Sequence, residues 1–511
     1  MANVRKNVWE LGTPWAPEIL WYARAVKVMK ARPLKDRLSW RFYGAIHGFN
    51  ASAWAAAGQP AKAADLPSKT DQAQFWKQCQ HGSWYFLPWH RGYLLAFEKV
   101  VRAAMATLPG APANWMLPYW NYFKPGQNQL PAEFASKSWP DGANDNPLFE
   151  AARYGPNDDG KVFVDFTGPY AVEEGTAFKD LAFIGGADGG SPGFGGPETD
   201  RFTHGGGTHG GLEHQPHDMV HVNVGGINKV GLMTDPDTAG LDPVFWLHHA
   251  NVDRLWEVWK SVPDVQGDPK SPKWLGGPAS SHGGRAFVMP LPDGSAWTYV
   301  PADMENLSDL QYTYDNLALP TGLALPAQRF ERLGASATQA QALQKKVNAM
   351  SRSVNLLGAS DTQLRLAGMG GTTRVTLHPP VQKKLAASLT AAPQAVPGRV
   401  YLNLENVRAK RDGAVFTVYI NLPHGADPAK HPELRAGSIA LFGARAASET
   451  DGEHAGEGLS FSLDISSIVD VLHQAQDLDA GKLDVQLVPR NPLPEEAQVT
   501  IGRIGVYLQE G

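Results

Sequence analysis

Apolar residues recur at helical spacing through residues 15–50, most clearly in "EILWYARAVKVMKAR". They do so again in "WYFLPWHRGYLLAFEKVVRAAMATL", which predicts a buried helix beginning near Pro88. The same period returns at "EHQPHDMVHV" and at "DPVFWLHHANVDRLWEVWKSV", where Pro243 suits a first helical turn. Residues 120–212 are loop-rich, and their glycine runs "IGGADGGSPGFGG" and "HGGGTHGG" lack the side chains to build a core, so they are expected on the surface. Near 330 the character changes: residues 336–366 read as one helix plus a connection. From about 397, short alternating runs follow one another between turn residues: "RVYLNLENV", "AVFTVYINL", "GSIALFG", "LSFSLDI", "KLDVQLV" and "VTIGRIGVYLQ". That alternation predicts an all-β sandwich or barrel. The chain thus divides into a mainly α domain with long loops over 1–330, a linker with a helix over 331–396, and a β-rich domain over 397–511.

Composition narrows the function. A chain of 511 residues exceeds one ordinary core, which agrees with the division above. Net charge is -5 with no basic run, which argues against nucleic acid as a partner. No stretch of about 18 apolar residues is present to span a membrane, and "MANVRKNVWELGTPWAPE" lacks the apolar segment of a secretory signal, so a cytoplasmic setting is expected. The single cysteine, Cys79, excludes an internal disulfide. Nothing in the pattern fixes an oligomeric state.

The chemistry lies in the histidines. His217 and His221 are spaced i,i+4, so on a helix they share a face and can bind one ion, although such pairs are often incidental. His214 could extend that face, but Pro216 is expected to start the helix and leave His214 outside it. In "LHHANVDRLW", His248 and His249 sit about 100° apart on a helix, so one of them faces a given site. Asp253 is four residues after His249 and could accept its free ring N–H, which favours His249 as a ligand with His248 as its neighbour. His81 and His90 flank the start of the long apolar helix, and His47 lies in "RFYGAIHGFN" on a further helical stretch. Six imidazoles (His47, His81, His90, His217, His221 and His249) with no Cys or carboxylate ligand suit a borderline transition metal, and copper suits them well.

"HGSWYFLPWHRGYLLAFE", "PHDMVHVNVGG" and "DPVFWLHHANVDRLW" closely resemble the two copper-binding regions of tyrosinases and polyphenol oxidases, the type 3 copper family, over roughly residues 1–320. "YTY" at 312–314 resembles the tyrosine motif that closes the plant-type catalytic domain, and the β-rich tail resembles a C-terminal shielding domain. The resemblance implies a four-helix bundle around two copper ions, with His47, His81 and His90 on the first and His217, His221 and His249 on the second. It implies dioxygen as co-substrate and small phenols as substrates: o-diphenols become o-quinones and monophenols are hydroxylated. Cys79, in a C-x-H arrangement, is implied to form a thioether with His81; the alternative is a buried thiol.

Glu213 matches the glutamate that orients a water near the second copper in plant-type members. Asp218 departs from the family's asparagine, and an ionised carboxylate offers no donors. Two alternatives stand: Glu213 and Asp218 share the role of base, or Asp218 faces away and solvates the helix. Pro236 stands where plant enzymes carry a gating phenylalanine, and with Val222 it is placed at the substrate entrance, leaving residues from about 397 onward to cover the mouth. His204, His209 and His214, in or beside the glycine loop, are expected to be solvated, and the other scattered histidines are assigned no role. An o-aminophenol oxidase and a haemocyanin-like dioxygen carrier are the competing readings. A zinc hydrolase is disfavoured by the absence of H-E-x-x-H.

Overall fold

Four helices carry the site in the computed structural model: α1 (Trp40–His47), α2 (Phe86–Ala106), α3 (Met219–Gly225) and α4 (Pro243–Lys260). The structure describes residues 3–186, 189–202, 206–280, 284–320, 326–347, 353–391, 395–450, 456–474 and 481–510. Local chemistry sets the helix starts. Ser39 caps α1 by accepting from Phe42 N–H at 3.0 Å. Asp242 caps α4 from Val244 N–H at 2.9 Å, with Pro243 in the first turn. Pro88 falls inside the first turn of α2, where its missing N–H would have had no helical partner. The helical pattern over 213–222 is interrupted at Gln215, whose backbone is extended (φ −137°, ψ 115°) just ahead of Pro216, the residue expected to start the helix. His214 and His217 therefore sit on opposite sides of a kink.

Tryptophans fill the space between helices. Trp246 of α4 stacks on Phe97 of α2 with centroids 3.4 Å apart, and Trp40 of α1 meets it edge-on. Such pairs contribute about 0.5–1.5 kcal/mol each beyond their burial, and they fix the spacing of the three helices. No described helix is long and apolar enough to cross a membrane.

The second half is one sheet of ten strands wrapped around its own core, a half-barrel. Its strands are β1 (Gly207–Thr208), β2 (Val354–Ser360), β3 (Leu364–Arg365), β4 (Gly371–Leu377), β5 (Arg399–Arg408), β6 (Val415–Ile420), β7 (Arg435–Ala440), β8 (Leu459–Asp464), β9 (Lys482–Pro489) and β10 (Thr500–Gln509). They run in the order β7-β6-β9-β4-β2-β10-β5-β8-β1, with β3 beside β10. The six alternating runs after 397 all form strands. Three further strands, β2, β3 and β4, come from within the expected linker 331–396. Exposed Thr and Arg positions in β4 and the half-buried Asn355 in β2 weaken the apolar alternation that marks the others.

The glycine runs differ from expectation. Residues 192–197 and 209–211 are buried, because glycine lets backbones meet where a side chain could not. A Cβ on Gly210 would lie 2.5 Å from the Gly196 nitrogen. The edge strand β1 belongs to this loop and pairs in parallel with β8, so the catalytic half donates a strand to the C-terminal sheet. Ion pairs reinforce the junction: Arg445 with Asp237 (2.6 Å) and Asp235 (3.1 Å), Arg399 with Asp180 (3.1 Å), and Arg490 with Asp165 (2.8 Å).

Asp253 ties the chain's start to the bundle. The strand Asn3–Arg5 pairs in parallel with Tyr312–Tyr314. Arg5, Arg91, Tyr312 and Tyr314 all donate to the Asp253 carboxylate, at 2.5–3.1 Å. Burial pushes that carboxyl up, but Arg91 and Arg5 outweigh it and hold it below the usual range. A depressed folded-state pKa stabilises above the unfolded value, about 3.9, and the contribution is lost as pH falls through the lower one. Asp253→Asn is expected to cost about 3 to 5 kcal/mol at neutral pH, as for a broken buried ion pair. The variant should also lose less stability than wild type between about pH 5 and pH 3, since it lacks the titrating carboxylate. Urea unfolding followed by tryptophan fluorescence checks this, and an unchanged midpoint would contradict it.

Candidate metal centre

Two triangles of imidazoles meet at the centre of the bundle. His47 closes α1, His90 lies one turn into α2, and His81 reaches in from the loop before α2. Their ring centroids are 5.5, 5.7 and 5.6 Å apart. His217 lies just before α3, His221 within it and His249 on α4, with centroids 4.5, 5.0 and 5.5 Å apart. The triangles touch: His90 stacks on His249 at 4.4 Å and 13°, and His81 lies 5.6 Å from His217. All six rings are buried.

The far side of most rings is tied down. His47 Nδ1 is 2.8 Å from the Pro236 carbonyl, His90 Nδ1 2.7 Å from Phe86, and His221 Nδ1 2.9 Å from Met233. A carbonyl can only accept, so the proton sits on Nδ1 and the Nε2 lone pair faces the centre. His221 Nε2 lies 3.3 Å from His249 Nε2, and His217 Nε2, fully buried, meets no hydrogen-bond partner among the described residues. Burial, the largest cause, pushes His90, His217, His221 and His249 well below the ordinary imidazole range and keeps them neutral. Neutral imidazoles with converging lone pairs fit a metal ion. The donor atoms form two groups, one with Cys79 beside His47, His81 and His90, the other with His248 beside His217, His221 and His249.

Residues 37–262 match the model described as the common central domain of tyrosinase, and residues 353–509 match a domain of unknown function (DUF7868). Over 520 aligned residues the chain is 32% identical to "Tyrosinase HcTyr1" of Hahella sp. (strain CCB-MM4), covering 99% of both chains. The chain belongs to the tyrosinase family. It is a phenol-oxidising oxidoreductase with a binuclear type 3 copper centre built from the two histidine clusters. The chloroplastic polyphenol oxidase of Malus domestica is 26% identical over 425 residues, 80% of this chain and 64% of that one. The solved structure of latent apple tyrosinase shares the fold across both domains, at 19% identity and a TM-score of 0.59, covering 100% of this chain and 98% of that one.

Around this tyrosinase centre several residues stand where local sequence spacing does not place them. Asp253 does not touch His249. The two arginines and two tyrosines take both of its oxygens, and His249 Nδ1 has no hydrogen-bond partner among the described residues. His248 points the same way as its neighbour closely enough to join the second group, with Nδ1 3.3 Å from the Tyr122 hydroxyl. Asp218 is buried rather than solvated: one oxygen lies 2.9 Å from His217 Nδ1 and the other 2.6 Å from His209 Nδ1. His209 and His214, expected in solvent, are both buried, and His214 Nε2 lies 2.8 Å from the Ser438 carbonyl of the C-terminal sheet. His204 lies outside the described residues.

Glu213 accepts from the Gly82 N–H, next to His81 in the chain, with both oxygens at 3.0 Å. Burial above all, with Asp218 adding repulsion, pushes its carboxyl up to about 8 despite His209 and the backbone donors. Cys79 Sγ lies 3.0 Å from His47 Nε2, and 3.2 and 3.5 Å from the two nitrogens of His81. Val222 and Pro236 are buried, and the residue that covers the second triangle comes from the other domain. Phe442, just after β7, stacks on His221 at 4.2 Å and 22° and stands edge-on to His217 and His81. No spacing rule could have found Phe442 or His209, since both depend on the packing of the C-terminal sheet.

Proposed function

We propose that this tyrosinase both hydroxylates monophenols and oxidises o-diphenols, with His47, His81 and His90 holding one copper and His217, His221 and His249 the other. The contact of the two imidazole triangles through the His90–His249 stack carries the reading, because ions held by the two triangles would face one substrate. Bound copper would supply dioxygen activation and the two-electron oxidation of a phenol. The protein supplies dryness, orientation and a proton acceptor. Glu213, pushed up to about 8, lies nearer to a free phenol's pKa of about 10 than an ordinary carboxylate does, and its ionised form, dominant above about pH 8, takes the phenolic proton. Asp218, with both oxygens on imidazoles, serves the centre through His217 and not by facing substrate.

Phe442 occupies the face of His221 on which a phenol ring would lie, so the C-terminal domain keeps the full-length chain latent. Pro236, placed at the entrance, offers no aromatic ring to share that task, and Val222 lies buried one residue beyond His221. Copper-loaded full-length chain and its Phe442→Ala variant, each offered L-tyrosine and L-DOPA in parallel, test both parts. Both substrates are expected to be consumed, and the variant's kcat/KM for L-DOPA to rise about tenfold, equivalent to about 1.4 kcal/mol. Inert L-tyrosine with the variant would reduce the function to diphenol oxidation, and an unchanged kcat/KM would remove the cover.

Cys79 is proposed to join His81 through a thioether. The carbon flanked by both His81 nitrogens is Cε1, and the sulfur lies within 3.5 Å of each of those nitrogens. Bonding Sγ to Cε1 removes one hydrogen from each residue, with dioxygen as the two-electron acceptor. The intact mass of copper-matured chain is expected to be two hydrogens below the sequence mass, a deficit that Cys79→Ser abolishes. A full sequence mass, with the thiol open to alkylation after unfolding, would contradict the bond.

A further inference from the structure

We infer that His209 is a positioning residue of the second copper site, acting on His217 through Asp218, and that the C-terminal domain holds it there. The inference rests on the ligand assignment proposed above. The line of contacts is short and buried: His209 Nδ1 to Asp218 Oδ2 at 2.6 Å, then Asp218 Oδ1 to His217 Nδ1 at 2.9 Å. Asp218 accepts from both rings, so His217 keeps its proton on Nδ1 and turns the Nε2 lone pair inward. A buried carboxylate with only one imidazole partner would leave its second oxygen unsatisfied. His209 gives that oxygen its donor, which a carboxylate cannot supply for itself.

His209 is not placed by any helix of the bundle. It follows directly on Gly207–Thr208, the edge strand that pairs with Leu459–Ser460. Its backbone N–H donates to the Ser460 carbonyl at 3.4 Å. The Phe461 ring stands edge-on to it at 5.9 Å and also meets His214 at 5.6 Å. On its other side, His209 stacks loosely on His81 at 6.3 Å, and its Nε2 lies 3.7 Å from Glu213, beyond hydrogen-bond reach. The C-terminal sheet therefore builds part of the site as well as covering it.

The test is copper release from the copper-loaded full-length chain under a chelator, read as ions lost per chain against time. His209→Phe is expected to release one ion about 10 to 100 times faster than wild type, the range for lost outer support of a ligand, while the other ion is unaffected. His209→Asn, which keeps a donor in a smaller side chain, should fall between. Phe461→Ala should shift the same ion in the same direction. In an Asp218→Asn background, His209→Phe should add nothing, whereas a merely structural role for His209 would add its full effect. Wild-type release from both His209→Phe and His209→Asn, or additive effects in the double variant, would overturn the inference. His217→Ala separates the two levels: if that variant still holds two coppers, the ligand assignment itself fails.

Discussion

An imidazole can offer a lone pair from one nitrogen only if the other holds the proton, and a dry protein interior must keep it that way before any metal arrives. The centre of this fold is organised around that constraint. Backbone carbonyls of Pro236, Phe86 and Met233 take the ring N–H of His47, His90 and His221, the carboxylate of Asp218 takes that of His217, and burial removes the charged alternative. The helix starts, the break at Gln215 and the aromatic stacking between α2 and α4 all serve to hold those acceptors in register with the rings.

The same constraint explains why the two domains are so closely joined. Six neutral imidazoles near the surface would be hydrated and free to turn. The glycine loops let the backbone pass close beneath the C-terminal sheet, and β1 hands one strand across to it. Phe442 and Phe461 of that sheet then reach the site, one over His221 and the other against His209 and His214. Shielding and construction are thus two consequences of one interface.

Much of this is legible in the residues. Helical spacing, together with the residues flanking each histidine, picks out all six rings, because each lies on or beside an element whose period the sequence displays. The β domain is legible wherever one face alternates cleanly, and obscure at β2 and β4, where polar residues occupy both faces. Asp253 misleads because its closest partners, Arg91 and Tyr314, are 162 and 61 residues away and outcompete the nearby ring. His209 misleads because a histidine among glycines looks solvated, and only the packing of a distant sheet buries it. Local period finds the clustered rings well; it is blind to partners brought in by tertiary contact.

The central claim is that each triangle holds one copper and that the two ions face one another. Anomalous diffraction at the copper edge from crystals of the loaded chain tests it directly. The account requires two peaks, one among His47, His81 and His90 and one among His217, His221 and His249, about 3.5–4 Å apart as in two-metal sites generally. A single peak, or a second peak bound by His248 in place of His249, would contradict it.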